Sequence, residues 1–540
     1  MTNQPNGAMA DRDSPPPRVF WLIPLVVVVL RAIPFLLTRV AIPPAEKVML
    51  PVGYNPMDWF AYAAFVRQAA ETGDWLLANP YTEMAQDGRF LLPLFSLLGH
   101  LCRWTGLDAF WMLELARIPL VFLFFAVLWR FLGLVLPQPR PRLLAAWLVG
   151  FSGGIECLLL ATLDWWPARS RDVILEALSD DQGWSTFAAL NNPLWAAGLT
   201  LALIAIGPLL RPEGTQRTRD WVRFVAGCVA TYLVHPYSGL FVLALAISLP
   251  AGRWILGGPG PCQPYLLRAG TALAAALGLI GALALWQNQD PVFRLTAGRV
   301  LGDHQLSVFW YPVALGGLGL LAARGGRHWF QSTAPHGLAV GIWIATVILM
   351  HASPLFNGYH FVFLLHLPVC LLAVPALDEV LQRRDSPRWL DQVTAALLLA
   401  LVFQSAVSVT WRSAKRALDH QLPETAMAAI ERLGREPPGR VYTSPYLGTI
   451  IPAYTSHRVY VGHWFLTPDQ PAKQRYFLDL LDGRVGPQEL VALVQRGALD
   501  YALLPPAMPP YVIEAIRPLA NREVQVNGFT LLYLRRSPAP

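Results

Sequence analysis

Ala269-Gly270-Thr271-Ala272-Leu273-Ala274-Ala275-Ala276-Leu277-Gly278-Leu279-Ile280-Gly281-Ala282-Leu283-Ala284-Leu285-Trp286 contains no charged side chain. At a rise of 1.5 Å per residue, about 20 such positions cross roughly 30 Å of hydrocarbon, so a run of this kind calls for a bilayer. Phe20–Leu37 and Ile118–Leu136 are apolar blocks of similar length, each with a single arginine, Arg31 and Arg130. The totals agree with it: of 540 residues, 54% are hydrophobic and 14% charged, where soluble domains run at about 45–50% and about 25%. One large soluble enzyme, a disordered chain, collagen and a coiled-coil rod are all excluded. The expected fold class is mainly α, a polytopic membrane protein with about eleven transmembrane helices and a C-terminal extracytoplasmic α/β domain.

The apolar runs place spans near Val19–Leu37, Phe110–Arg130, Leu143–Leu163, Asn192–Leu210, Trp221–Val234, Tyr237–Leu249, Ala269–Trp286, Val308–Ala322, His336–Met350, Tyr359–Ala376 and Leu390–Ser408. The pair meeting at His235-Pro236 is short, which points to tilted or broken helices. Connections expected on one side carry Arg130, Arg140 and Arg142; Arg211, Arg217, Arg219 and Arg223; Arg253 and Arg268; Arg324 and Arg327; and Arg383, Arg384 and Arg388. The positive-inside rule makes that side cytoplasmic. An odd count then leaves the N-terminus inside and the C-terminal region outside. The reading divides the chain into a disordered cytoplasmic tail (1–18), a membrane region (19–410) with a first outer loop at 41–89, and an outer domain (411–540). In that last part Val441–Ser444, Arg458–Val461, Asp500–Leu504 and Phe529–Leu534 read as strands. Gln470–Leu481, Pro487–Arg496 and Tyr511–Ile516 have helical spacing.

The net charge of +7 is almost all arginine scattered through loops. No basic stripe with interleaved aromatics appears, so nucleic acid is not an expected partner; the bilayer is. The five cysteines are spread singly, without CxxC, and indicate neither a disulfide framework nor a zinc site. Phosphate loops of the GxGxxG or GxxxxGK[ST] type are absent from the sequence. His351, His360 and His366 are spaced unlike any compact metal-ligand pattern.

The first outer loop holds Tyr54-Asn55-Pro56-Met57-Asp58-Trp59-Phe60-Ala61-Tyr62. Asn55 suits an N-cap and Pro56 the first helical position, which puts Asp58 in the first turn. Trp59, Phe60 and Tyr62 are spaced to lay this helix along the membrane surface. Thr72-Gly73-Asp74-Trp75 closes it, and Asn79-Pro80 forms a second cap-like pair. Asp58 reads equally as a capping acid or as a carboxylate that accepts a proton from an incoming hydroxyl.

The sequence resembles the membrane glycosyltransferases of the multi-span C-type fold (protein mannosyltransferase and aminoarabinose transferase-like), which take sugars from polyprenyl-phosphate donors. The first span, Asp58 with Tyr62, Arg67 and Gln68, then Gly73-Asp74-Trp75, Asn79-Pro80-Tyr81, Asp164 and the C-terminal domain carry the resemblance. It implies a catalytic role for Asp58, assisted by Asp164, and a polyprenyl-phosphate-linked sugar as donor. Asp58 is followed by Trp59 rather than by a second acid, a departure that admits a divalent metal without indicating one; the cofactor stays unknown.

Other outer-side residues complete the candidate list. Arg89, Arg299 and His304 offer cationic groups for a phosphate, arginine's planar fork suiting it best. His235 and His360 either pack at helix ends or line the cavity, and Asp164 sits beside the interface tryptophans Trp165 and Trp166. Arg458 and His463 lie in an aromatic-rich stretch of the outer domain that serves packing or acceptor contact. Tyr62 joins the binding candidates through the resemblance, which it carries together with Asp58. The functional expectation is transfer of a sugar, with inversion, to an acceptor hydroxyl at the outer face. A lipid or sugar transporter and a non-catalytic membrane assembly protein are the alternatives.

Overall fold

A computed structural model describes residues 14–41, 47–48, 56–154, 165, 167, 185–211, 215–255, 263–298, 311–332, 334–355, 358–382, 388–419 and 421–534. The chain forms two compact units, one of Met1–Pro34, Ala116–Ala282 and Leu301–Arg412, the other of Phe35–Leu115, Leu283–Val300 and Ser413–Pro540.

The first unit is helical. Among the described residues, six helices of the chain are long and apolar enough to cross a membrane, namely Arg18–Ala41, Ala109–Val135, Pro193–Leu210, Pro236–Ile255, Gln263–Gln287 and Phe363–Gln382. The expectation of about eleven transmembrane helices is thereby corrected to six. Apolar runs are not the same as crossings: Pro139–Phe151 has 13 residues and Thr218–Val234 has 17, short of the about 20 that hydrocarbon requires. Tyr311–Ser332 is interrupted at Gly316, whose backbone is non-helical at φ 43°, and His336–Ala352 is a shorter apolar helix. Arg388–Asp419 is not among the six either. Six is not an odd number, so the count of crossings no longer places the two termini on opposite sides. The break at His235-Pro236 does occur: His235 caps the end of Thr218–Val234, and Pro236 opens the next helix.

Inside this unit small residues let helices approach. A Cβ added to Gly227 would lie 2.8 Å from the Ala205 methyl, so the helices Thr218–Val234 and Pro193–Leu210 pack closely there. His366 is buried and satisfied, its Nε2 3.2 Å from Ser152 Oγ and its Nδ1 3.0 Å from Thr186 Oγ1.

The second unit contains the described strands, numbered in chain order: β1 Lys47–Val48, β2 Leu76–Leu77, β3 Phe90–Leu91, β4 Leu422–Pro423, β5 Arg440–Tyr442, β6 Arg458–Val459, β7 Tyr501–Leu504, β8 Ala520–Val526 and β9 Phe529–Leu534. β1 pairs with β4 and β2 with β3, both antiparallel. The other five make a small mixed sheet in the order β6-β5-β7-β9-β8, with β5 parallel to β6 and β7 and the β7-β9-β8 edge antiparallel. Helices Gln470–Leu481, Pro487–Arg496 and Pro510–Ile516 supply Leu480, Leu490, Val494, Val512 and Ile516 to a core shared with Ala502, Leu504 and Leu532 of the sheet. Leu503, Leu504, Leu531 and Leu532 have no exposed surface. The central strands are thus buried on both faces, which explains their unbroken apolar runs.

The loop after β2 is sewn to this sheet. Val459 N–H donates to Pro80 O at 2.9 Å, so the edge strand β6 finds its outer partner in the first-loop segment. Lys473 Nζ bonds Glu83 at 2.6 Å and Tyr460 O at 2.9 Å.

Candidate active site

Helix Pro56–Thr72 starts at the proline the sequence marks, with Asp58 in its first turn; Asn55 lies outside the described residues. Trp59 and Phe60 are at most 1% exposed. They therefore anchor the helix in protein rather than presenting it to a membrane surface. The helix ends where Gly73, at φ 78°, turns the chain and bonds Ala69 O at 2.9 Å, a left-handed position that favours glycine. Its middle is latched by Arg67: Nε donates to Pro452 O at 3.2 Å, Nη1 to Ser456 Oγ at 3.2 Å, and Nη2 to Thr455 O. Arg67 also pairs with Glu71, which bonds Ser456 in turn. Burial lowers the Arg67 pKa and Glu71 opposes that shift. The arginine thus ties this helix to the last carbonyls of the helix Pro445–Tyr454, the groups left unpaired by any helix end.

Helix Pro445–Tyr454 is capped by Ser444, with Pro445 at its first position. Its Gly448 lies directly against Val461 O, and a Cβ there would collide with that carbonyl. A Cβ on Gly462 would sit 2.6 Å from Gly448 O. Two glycines in mutual contact thereby seat the loop that carries His463. The loop is braced by Gly462 N–H on Thr467 Oγ1 (3.1 Å) and Thr467 N–H on His463 O (3.0 Å).

Within that loop the amides of Phe465 and Leu466 both donate to His463 Nδ1, each at 3.2 Å. An imidazole nitrogen that accepts cannot carry the proton, so the proton resides on Nε2. Nε2 then donates to Asp58 Oδ1 at 3.1 Å. The side chains are 5% and 19% exposed respectively, leaving the carboxylate partly open to solvent and the imidazole enclosed. Tyr81 packs against His463, ring centres 5.6 Å apart, and its hydroxyl donates to Thr449 O at 3.2 Å. Burial raises the Tyr81 pKa, with a smaller push in the same direction from Asp58. Asn79 closes the arrangement: its Oδ1 accepts from Tyr81 N–H at 2.9 Å and its Nδ2 donates to Leu466 O at 2.7 Å.

The other expected residues fall in several places. Tyr62 stacks on Phe95, 4.8 Å between ring centres, and joins two helices of the loop region. Arg89 bonds Trp286 O at 3.0 Å and Gln289, pairs with Asp87 at 3.3 Å and lies over the Trp286 ring. Its guanidinium is engaged in holding the segment around Gln287. Arg458 on β6 donates to Met84 O at 3.0 Å. Burial and the neighbouring Arg440 charge lower its pKa. In the helical unit His235 and His360 meet across Trp195 and Tyr237: His235 lies 5.3 Å from the Trp195 ring, and His360 stacks on Tyr237 at 4.1 Å. His235 Nδ1 also bonds Ser238 Oγ at 2.8 Å. Asp164, Arg299 and His304 lie outside the described residues.

Sequence reading missed the bonds made by Asn79 and Tyr81 and the Glu83–Lys473 pair. Lys473 carried a signal: it is one of three lysines in a chain that otherwise uses arginine, and a buried lysine needs a fixed partner. Among the described residues no group of three or more His, Cys, Asp or Glu is arranged to hold a metal ion. Among the described residues the imidazole bonded to Asp58 is that of His463, and it turns a protonated nitrogen toward the carboxylate, which does not fit joint ligation of a metal.

No family model and no curated protein matches this chain. Solved structures do. Over 94% of this chain and 97% of the other, it superposes on ArnT from Cupriavidus metallidurans in the apo state, with 14% identity and a TM-score of 0.51. Over 90% of this chain and 69% of the other, it superposes on the oligosaccharyltransferase of Archaeoglobus fulgidus in the apo form, with 12% identity and a TM-score of 0.53. At such identities the likeness is one of fold alone, the fold shared with ArnT and with the oligosaccharyltransferase.

Proposed function

We propose that this protein transfers a sugar from a polyprenyl-phosphate donor to an acceptor hydroxyl at the outer membrane face. The observation that carries the reading is the Asp58 carboxylate, set in the first turn of a buried helix and oriented by the Nε2–H of His463. In the step proposed, the acceptor oxygen attacks the anomeric carbon and the bond from that carbon to the phosphate oxygen breaks. Polyprenyl phosphate leaves with the electron pair, and the acceptor proton passes to Asp58. Attack opposite the leaving group inverts the anomeric centre. A phosphate is a good leaving group, so alignment and charge placement are the protein's main tasks.

His463 serves this step as a positioning residue. Its protonated nitrogen faces Asp58 and its other nitrogen is occupied by two backbone amides, so it orients the base without competing for the proton. Orienting a base through a neighbouring hydrogen bond is a general device of acid–base catalysis.

The test compares wild type and Asp58→Asn in purified full-length protein, following release of polyprenyl phosphate from polyprenyl-phosphate sugars. Asparagine keeps an oxygen to accept from His463, so the melting temperature should stay put. Loss of a positioned base should lower turnover about 10²- to 10⁴-fold. Equal turnover in the two proteins rejects the role of Asp58. A wild type that releases polyprenyl phosphate from no such donor rejects the transfer reading itself.

A further inference from the structure

A concave site lies beside the C-terminal sheet. Between the loop at Glu83–Ala85, the start of β5 and the end of helix Pro487–Arg496 opens a cavity of about 410 Å³, lined in part by Glu83, Met84, Arg440, Tyr460, Leu493 and Arg496. We propose that this cavity binds a sugar unit bearing a phosphate or carboxylate group, with Arg440 and Arg496 taking the anion and Glu83 the hydroxyls.

The charge balance calls for an anion. Arg440 and Arg496 line the cavity; Arg458 is close enough for the Arg440 charge to act on it; Lys473 bonds Glu83. Against these four cations stand Glu83, Asp469, whose charge acts on Tyr460 and Lys473, and Asp500, whose Oδ2 accepts from the Arg440 backbone N–H at 2.9 Å. Cations remain in excess by one. Both lining guanidiniums are lightly held: Arg440 Nη1 reaches Gly497 O and Ala498 O only at 3.5 and 3.4 Å, and Arg496 Nε reaches Ala492 O at 3.3 Å. Among the described residues, most of their N–H donors are therefore open to a ligand, and an arginine fork matches phosphate and carboxylate geometry.

Size and lining argue for more than a bare ion. A water molecule's share of liquid volume is about 30 Å³, so the cavity exceeds a small anion many times over. Tyr460, Met84 and Leu493 give it an apolar side suited to the C–H face of a sugar ring, and the Tyr460 ring is held by Lys473 Nζ 4.1 Å from its centre. Anion donors, a carboxylate acceptor and an aromatic ring around one space describe a charged carbohydrate better than a peptide or a lipid tail. The inference does not rest on the sugar-transfer reading, since it uses none of the groups around Asp58.

The experiment measures equilibrium binding of glucose 6-phosphate, glucuronate, glucose and inorganic phosphate to the full chain in detergent. Glucose 6-phosphate or glucuronate should bind saturably, about tenfold or more tighter than glucose or inorganic phosphate. Arg440→Gln with Arg496→Gln should weaken that binding by about tenfold or more, the scale of lost hydrogen bonds to a charged group. Asp58→Asn should leave it unchanged. Arg496 is exposed, so Arg496→Gln alone serves as a folded variant with a smaller loss expected. Equal affinity in wild type and variants, or no saturable binding of either charged sugar, overturns the proposal. Inorganic phosphate binding as tightly as glucose 6-phosphate overturns its carbohydrate part.

Discussion

Asp58 and His463 stand 405 positions apart in the chain and 3.1 Å apart in space. Each was legible singly, the acid from its helix start and the histidine from its aromatic surroundings. Their pairing was not, because it depends on how a distant loop is seated by Gly448 and Gly462. Arg89 shows the converse: a loop arginine reads as a free cation until its acceptors, Trp286 O and Gln289, are known. The pairing sets a sharp expectation for His463. A hydrogen bond to a charged group contributes about 1.5–3 kcal/mol, so His463→Leu should lower kcat by roughly 10- to 100-fold while KM changes far less. His463→Gln retains an N–H donor at similar reach and should recover most of that loss. Steady-state kinetics on the two variants decide it: if glutamine is no better than leucine, the imidazole is merely filling space.

The elements were legible where side-chain period and turn chemistry agreed. Helices Gln470–Leu481 and Pro487–Arg496 fall at the expected bounds, and β9 does as well. β8 is absent from the sequence reading because Asn521, Arg522 and Glu523 are polar and exposed in succession, which erases the two-residue alternation of a strand. Yet Asn527-Gly528, both with positive φ, spells the two-residue hairpin turn that leads from β8 to β9. Helix Pro445–Tyr454 has no counterpart in the sequence reading: Gly448 and Pro452 both weaken helical propensity, and burial of seven consecutive residues, Leu447–Ala453, overrides it. Gly448 is retained there for contact. Gly448→Ala should cost about 1–3 kcal/mol, as overpacking against backbone does. It should also lower turnover by shifting the His463 loop. Gly278→Ala, in a helix where an added Cβ meets nothing within 4 Å, is the matched control and should leave the melting temperature near its wild-type value. Equal melting and equal turnover for the two variants would remove the glycine contact from any part in building the site.

At the scale of the whole molecule, composition made membrane residence legible and the number of crossings illegible. Apolar content records burial in protein as readily as in lipid, and kinked or short helices satisfy the first without spanning the second. Arg140 pairs with Asp378 at 2.8 Å and Arg324 with Glu379 at 2.7 Å, so both arginines gather near the C-terminal end of helix Phe363–Gln382. The proposed sugar transfer requires the loop containing Asp58, and with it the sheet following Ser413 in the same compact unit, to face outward. Ala472, exposed on helix Gln470–Leu481, reports on this directly. An Ala472→Cys variant should react with a membrane-impermeant maleimide in intact right-side-out cells, to the same extent before and after lysis. Cys102, Cys228 and Cys370 are buried and should contribute little, with the wild-type protein correcting for the remaining cysteines. Protection of Ala472→Cys until the membrane is opened would reverse the orientation, and with it the side from which a lipid-borne sugar could reach Asp58.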